Sequence, residues 1–205
     1  MPVSAIAINC TLKKSGKEAS STDAMIGVLG EAFGEHDVKI AETIRIADYN
    51  VLPGVTSDEG EGDDWPELRK KILAHDILIF GGPIWLGQIG SIAKRVLERM
   101  DAFLDETDDK CRMPSAGKVA VAAIVGSEDG AHWSTSQLFQ ALNDLGWTIP
   151  ANGACYWVGE AMGSTDFKDL KQTPDEVTET AAMLVSNAAH LAGLLKGEQY
   201  PGVDS

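Results

Sequence analysis

Three short stretches hold the residue types and spacings that could do chemistry. Residues 9–22 gather Thr11, Ser20, Ser21 and Thr22, together with Lys13, Lys14 and Lys17 out of only 17 basic residues in the chain. Where such a run opens a helix, its unpaired amides and dipole favour an anion, and hydroxyls add donors. A phosphate suits that end; the plain alternative is that Ser21 or Thr22 only caps the helix and the lysines are solvated. The second stretch is Gly81-Gly82-Pro83-Ile84-Trp85-Leu86-Gly87. Pro83 stiffens it, Trp85 offers a stacking or edge surface, and the amides of Ile84, Trp85, Leu86 and Gly87 could address the heteroatoms of a planar ring. The alternative is an ordinary loop with a stray aromatic. The third stretch is Gly126-Ser127-Glu128-Asp129-Gly130-Ala131 followed by His132. Its adjacent carboxylates could form an acid/base pair or be solvated turn formers, and His132 is the one histidine in a candidate site loop.

A ligand with a planar ring at one end and a phosphate at the other joins the three stretches, and flavin mononucleotide (FMN) has that shape. Other chemistries lack their motifs. No G-x-x-x-x-G-K-[ST] loop is present, and the first strand is not followed by G-x-G-x-x-G, since the first glycine is Gly16. Cys10 stands where a phosphatase nucleophile would, but its loop has no arginine to clamp a phosphate, so a structural cysteine is expected. Neither G-x-S-x-G nor H-E-x-x-H occurs. His36, His75, His132 and His190 lack metal-ligand spacing, and Cys10, Cys111 and Cys155 form no C-x-x-C pair, so no metal is expected.

Positioning those stretches requires strands that end where they begin. Apolar runs at 3–8, 38–44, 77–81, 118–126 and 153–157 read as strands. Gly81 and Gly82 are expected to stop the third. Between the strands, Ala24, Met25, Val28, Leu29, Ala32 and Phe33 recur at helical spacing, as do Ile92, Ala93, Val96, Leu97, Met100, Phe103 and Leu104, with Ser91 as the expected cap of the second run. Asp64 with Glu67 has the form of a capping box for a helix at 65–74. Leu138, Phe139, Leu142 and Leu145 mark the next helix, and the last runs over 175–195 behind Pro174. The long connection 47–64 carries an acidic run from Asp58 to Asp64, expected to be solvated and mobile. Trp133, Trp147, Trp157 and Tyr156 read as packing residues.

Five strands alternating with five helices imply an α/β three-layer sandwich, a parallel sheet covered on both faces. Ligands of such sheets sit beyond the carboxyl ends of the strands, where all three stretches fall. The 205 residues suit one domain over 1–200 with a tail at 201–205. An excess of 31 acidic over 17 basic residues, a formal charge of -14, argues against nucleic acid or an anionic membrane as partner. No apolar run approaches the roughly 20 residues of a membrane span, and with no disulfide framework a cytoplasmic protein is expected.

The residues of the three stretches also carry a resemblance. Cys10-Thr11-Leu12-Lys13 with Ser20-Ser21-Thr22, then Gly82-Pro83-Ile84-Trp85-Leu86-Gly87 with Lys94-Arg95 and Asp101, and Gly126-Ser127-Glu128-Asp129-Gly130-Ala131 make the chain similar to the flavodoxin-like NAD(P)H-dependent oxidoreductases, the FMN and quinone reductases. The resemblance implies a flavodoxin-like sheet of order 2-1-3-4-5. It implies FMN held noncovalently, its phosphate on the first loop and its ring flanked by the P-x-W-x-G loop and the loop after the fourth strand. It also implies NAD(P)H as co-substrate, a quinone, flavin or similar small-molecule acceptor, no catalytic side chain beyond the flavin, and a homodimer or homotetramer. The compact cysteine cluster of iron–sulfur relatives is absent. The rival reading is an acidic electron-transfer flavodoxin that docks onto basic partners.

Overall fold

The computed structural model describes residues 2–161 and 163–204; Met1 and Ser205, which bound the expected domain and tail, lie outside the described residues, as does Met162. In chain order the elements are β1 (Ser4–Asn9), α1 (Ser21–Gly34), β2 (Lys39–Arg45), α2 (Trp65–Leu73), β3 (Ile77–Trp85), β4 (Gln88–Ile89), α3 (Ser91–Met100), β5 (Val119–Gly126), α4 (Ala131–Asp144), β6 (Ala154–Val158) and α5 (Asp175–Gly197). Five strands pair in parallel in the order β2-β1-β3-β5-β6, and β4 pairs antiparallel with the end of β3. This is the expected flavodoxin-like order, with one short strand added.

The sheet's two faces follow from strict alternation along the buried strands. Ile6, Ile8, Leu78, Phe80, Ala122 and Ile124 face α2, α3 and α4, whereas Ala5, Ala7, Ile77, Ile79, Val121 and Val125 face α1 and α5. On α1 the fully buried stripe is Met25, Ile26, Leu29 and Phe33, rotated slightly from the expected one, with Ala24, Val28 and Ala32 at its margin.

Two glycines and a proline do not end β3. Gly81, Gly82 and Pro83 continue its pairing with β5, opposite Ala123, Ile124 and Val125. Glycine is needed at 81 because a Cβ there would meet Thr22 Cγ2 at 2.8 Å and Ile26 Cδ1 at 2.9 Å. Pro83 is tolerated because the Gly81 carbonyl faces β1, accepting from the Cys10 amide, so by alternation Pro83 faces a side that β1 has already left. The turn lies further on, at Leu86-Gly87, where both residues have positive φ, +52° and +74°. That is the type I′ geometry of a two-residue hairpin.

Two cap expectations are corrected. α3 is preceded by Gly90, with Ser91 already inside the helix, and Asp64 forms no capping box with Glu67. Asp64 instead accepts from the Asn50 amide at 2.7 Å, and Asp63 accepts from the Trp65 amide at 3.2 Å.

The acidic connection is also more ordered than its composition implies. Arg99 of α3 is fully buried and pairs with the buried Asp63 carboxylate at 2.7 Å. It also donates to the carbonyls of Leu52 and Thr56, each at 2.9 Å. Asp63 further accepts from the amides of Leu52 and Glu59, while Asp58 accepts from the amide of Gly60. The run is therefore a folded loop built around one arginine.

At the opposite end of the sheet, Asp76 accepts from the Ser4 amide at 2.8 Å and from Lys196 at 2.7 Å. Burial alone would raise the Asp76 and Asp63 carboxyls, but Lys196 and Ser4 in one case, and Arg99 with three backbone amides in the other, hold them below the ordinary value of 3.8. Burial pushes the His75 imidazole below its ordinary 6.5, outweighing the nearby Asp76. In all three the folded value lies below the unfolded one, so the stability each contributes is present at neutral pH and lost on acidification. Thermal melts are expected to show a shallow loss beginning as pH falls below 6.5, absent from His75→Gln, and a steeper loss below 3.8 that the variant retains.

Candidate functional site

One cleft opens at the carboxyl ends of β1, β3, β5 and β6, a space of about 640 Å³ that includes the open solvent of its mouth. Thr11, Lys13, Ser20, Ser21 and Thr22 line one end. Ser20 caps α1, its Oγ accepting from the Asp23 amide at 3.3 Å, which leaves the amides of Ser21 and Thr22 without an intrahelical acceptor. Hydroxyls, free helix-opening amides and a lysine form a donor set for a phosphate. Lys13 pairs with Glu18 at 2.9 Å, and this pairing lowers the exposed Glu18 carboxyl below its ordinary value.

The loop's shape depends on two residues that the sequence reading passed over. Asn9, fully buried at the end of β1, accepts from the Thr11 amide at 2.9 Å and donates to Ser20 Oγ at 3.2 Å and to the Asp23 carboxylate. Arg45, at the end of β2, pairs with Asp23 and donates to the carbonyls of Lys14 at 3.1 Å and Glu18 at 3.4 Å. Neither belongs to a local motif; a polar residue ending a buried strand is the only trace Asn9 leaves in the sequence.

The other end is lined by Pro83, Ile84 and Trp85 from the β3–β4 hairpin and by Val125, Gly126, Ser127 and Glu128 after β5. Trp85 is 52% exposed, consistent with a ligand-facing ring. These two segments touch each other. A Cβ on Gly126 would meet Ile84 Cβ at 2.9 Å, one on Gly130 would meet the Gly87 carbonyl oxygen at 2.5 Å, and Glu128 Oε1 accepts from the Leu86 amide at 2.9 Å. They form one continuous platform, a surface of the shape that a planar ring needs.

For that reason Leu86, Gly87, Asp129 and Gly130 sit outside the cleft lining, at the turn and behind it. His132 also stands off the cleft, its Nε2 3.0 Å from the hydroxyl of Tyr156, which is half-buried and packs against the core as expected. Trp147 is buried as expected, whereas Trp133 is 59% exposed and packs little. Cys10 is fully buried, and burial pushes its thiol far up, which leaves it inert.

The remaining wall comes from Trp157 near the end of β6 and from the segment that follows β6, which no motif announced. Trp157, Asp166 and Phe167 line the cleft, with the Trp157 and Phe167 rings 5.5 Å apart. Lys168 pairs with Asp166 at 2.9 Å and Asp169 at 2.6 Å, and its amide donates to Ser21 Oγ at 3.4 Å, tying this wall to the phosphate end. Among the described residues no cluster of His, Cys, Asp and Glu could hold a metal, and no helix is long and apolar enough to cross a membrane.

The half-exposed Trp85 permits a clean test of ligand contact. Trp85→Ala is expected to change stability by less than about 1 kcal/mol, as for a surface position. Its affinity for a flavin, followed by fluorescence quenching, should fall about tenfold, the loss of one stacking contact.

Comparison with known proteins follows the same lines. The family model for NADPH-dependent FMN reductase matches residues 3–161. The chain is 29% identical to 8-demethyl-8-aminoriboflavin-5'-phosphate synthase of Streptomyces davaonensis, over 98% of this chain and 81% of that protein. It is 32% identical to a protein named divalent metal cation transporter MntH of Mycobacterium bovis, over 94% of this chain, which spans only 29% of that protein's length. Among solved structures, RosB with a bound 8-demethyl-8-formylriboflavin-5'-phosphate intermediate superposes with a TM-score of 0.87 at 28% identity, over 97% of this chain and 82% of that one. An apo NADH:FMN oxidoreductase shares the fold, with a TM-score of 0.60 at 17% identity over 96% and 91% of the two chains. With the family match covering most of the strands and loops that build the cleft, the chain belongs to the NADPH-dependent FMN reductase family.

Proposed function

We propose that this chain binds FMN in the cleft, phosphate toward Ser20, Ser21 and Thr22 and ring across the 83–85 and 126–128 platform, and passes reducing equivalents from NAD(P)H to a quinone, flavin or similar small acceptor. The observation that carries this reading is the chemistry of the cleft's two ends. Hydroxyls, free amides and Lys13 lie at one, and an aromatic and backbone platform lies at the other. When bound, FMN supplies the two-electron chemistry; the protein supplies binding, orientation and electrostatics. Ser21 and Thr22 hold the phosphate, Lys13 neutralises it by exchanging Glu18 for it, and the segment around Phe167 excludes water from one side. A soluble cytoplasmic homodimer or homotetramer is part of the same proposal.

Apo protein titrated with FMN should show one site per chain, and anaerobic NADPH should then bleach the flavin absorbance, with turnover on adding a quinone. Binding without NAD(P)H oxidation would instead favour the electron-carrier reading. A second reading, in which the flavin phosphate is itself the substrate, is favoured by the RosB superposition, since its TM-score of 0.87 stands well above the 0.57 of an archaeal flavodoxin. Mass analysis of the flavin after turnover separates the two: unaltered FMN supports a cofactor, and a modified ring supports a substrate.

A further inference from the structure

The β3–β4 hairpin holds an unfavourable conformation in an exposed place. Leu86 has φ +52° and is 89% exposed, so a left-handed backbone that costs a leucine about 1–2 kcal/mol is not offset by burial of its side chain. Its neighbours must hold it there. Ile84 pairs with Ile89 and Trp85 with Gln88, and the backbone of Gly130 presses on Gly87. The remaining restraint is the charged acceptor: Glu128 Oε1, reaching from the β5 loop, takes the Leu86 amide at 2.9 Å. Such a charge-assisted bond is stronger than one between neutral groups. Glu128 is half-buried and lines the cleft on its platform side.

We propose that Glu128 is a positioning residue with two separable effects, locking the strained Leu86-Gly87 turn through its hydrogen bond and lowering the reduction potential of the bound flavin through its charge. The second effect rests on the FMN reading above. A fixed negative charge on the wall that carries the ring opposes the electron density that reduction adds, and charge beside a flavin ring is one of the means by which a protein tunes it. The placement also assigns the Leu86 amide to the protein itself, so this donor serves the platform and not the ligand.

Two substitutions separate the effects. Glu128→Gln keeps an oxygen able to accept from the Leu86 amide and removes the charge; Glu128→Ala removes both. Hydrogen exchange at the Leu86 amide is measured in the apo protein, and the FMN affinity and midpoint potential in the loaded protein. For Glu128→Gln the exchange rate should stay near that of the unsubstituted protein. Its preference for reduced over oxidised FMN should rise about tenfold, a potential shift of about +30 mV for a two-electron couple. For Glu128→Ala, exchange should accelerate at least tenfold and FMN affinity fall about tenfold. An unshifted potential in Glu128→Gln overturns the electrostatic effect, and unchanged exchange in Glu128→Ala overturns the lock. If the unsubstituted protein binds no FMN, the functional reading and the electrostatic effect fail together, and exchange in the apo protein still judges the lock by itself.

Discussion

Arg99→Met is expected to destabilise the protein by about 3–5 kcal/mol, because it leaves the Asp63 carboxylate buried without its cation. The same change removes the donors that gather the carbonyls of Leu52 and Thr56, so the 47–64 loop loses its centre as well as its ion pair. For a domain of this size the loss corresponds to a fall in melting temperature of roughly 6–20 °C. Limited proteolysis should then cut within the acidic run faster than in the unsubstituted protein. A melting temperature within about 2 °C of the unsubstituted protein would mean that Arg99 is replaceable by any side chain of its volume. Asp63→Asn should also be strongly destabilising, since it replaces one carboxylate oxygen by an NH2 that faces two of the four donors and leaves the Arg99 cation buried without its anion.

The second large effect concerns ligand selectivity. Ser21→Ala with Thr22→Val removes two hydroxyls from the phosphate end while keeping the Thr22 methyl that lies against Gly81. Ser20 is left intact because its hydroxyl caps α1 and accepts from Asn9. Hydrogen bonds to a charged group contribute about 1.5–3 kcal/mol each, so FMN affinity should fall about 100-fold or more. Riboflavin, which lacks the phosphate, should lose less than about threefold. Equal losses for both ligands would place the phosphate elsewhere in the cleft and leave the two hydroxyls a purely structural role.

The parts of this account that were legible in the sequence are those decided locally. Unbroken apolar runs of strand length identify the five parallel strands, and their alternation with helices leaves few topologies open. Ser20 to Thr22 could be placed at a helix opening because capping chemistry acts within one turn. What escaped depends on partners distant in the chain. Gly81, Gly82 and Pro83 read as a stop, yet β5 pairs with all three, and ladder pairing outweighs the breaking tendency of each. Asp63 looked solvated among other acids because its partner lies on another element, at Arg99. Asp166 and Phe167 belong to no motif, and they reach the cleft because the chain after β6 folds back over Trp157. The reach of the P-x-W-x-G loop was overestimated for a similar reason. Its last two residues form the turn of a hairpin, and the close approach of Gly130 to Gly87 turns them away from the cleft.

The central claim is that the cleft holds FMN as a redox cofactor, and one anaerobic titration tests it most directly. Apo protein is saturated with FMN and NADPH is then added stepwise while the flavin absorbance is followed. The account expects FMN to bind at one site per chain, loss of flavin absorbance at one equivalent of NADPH, and its full return on addition of quinone with the FMN chemically unchanged. Failure to bind FMN, or a bound flavin whose absorbance NADPH leaves untouched, would contradict it.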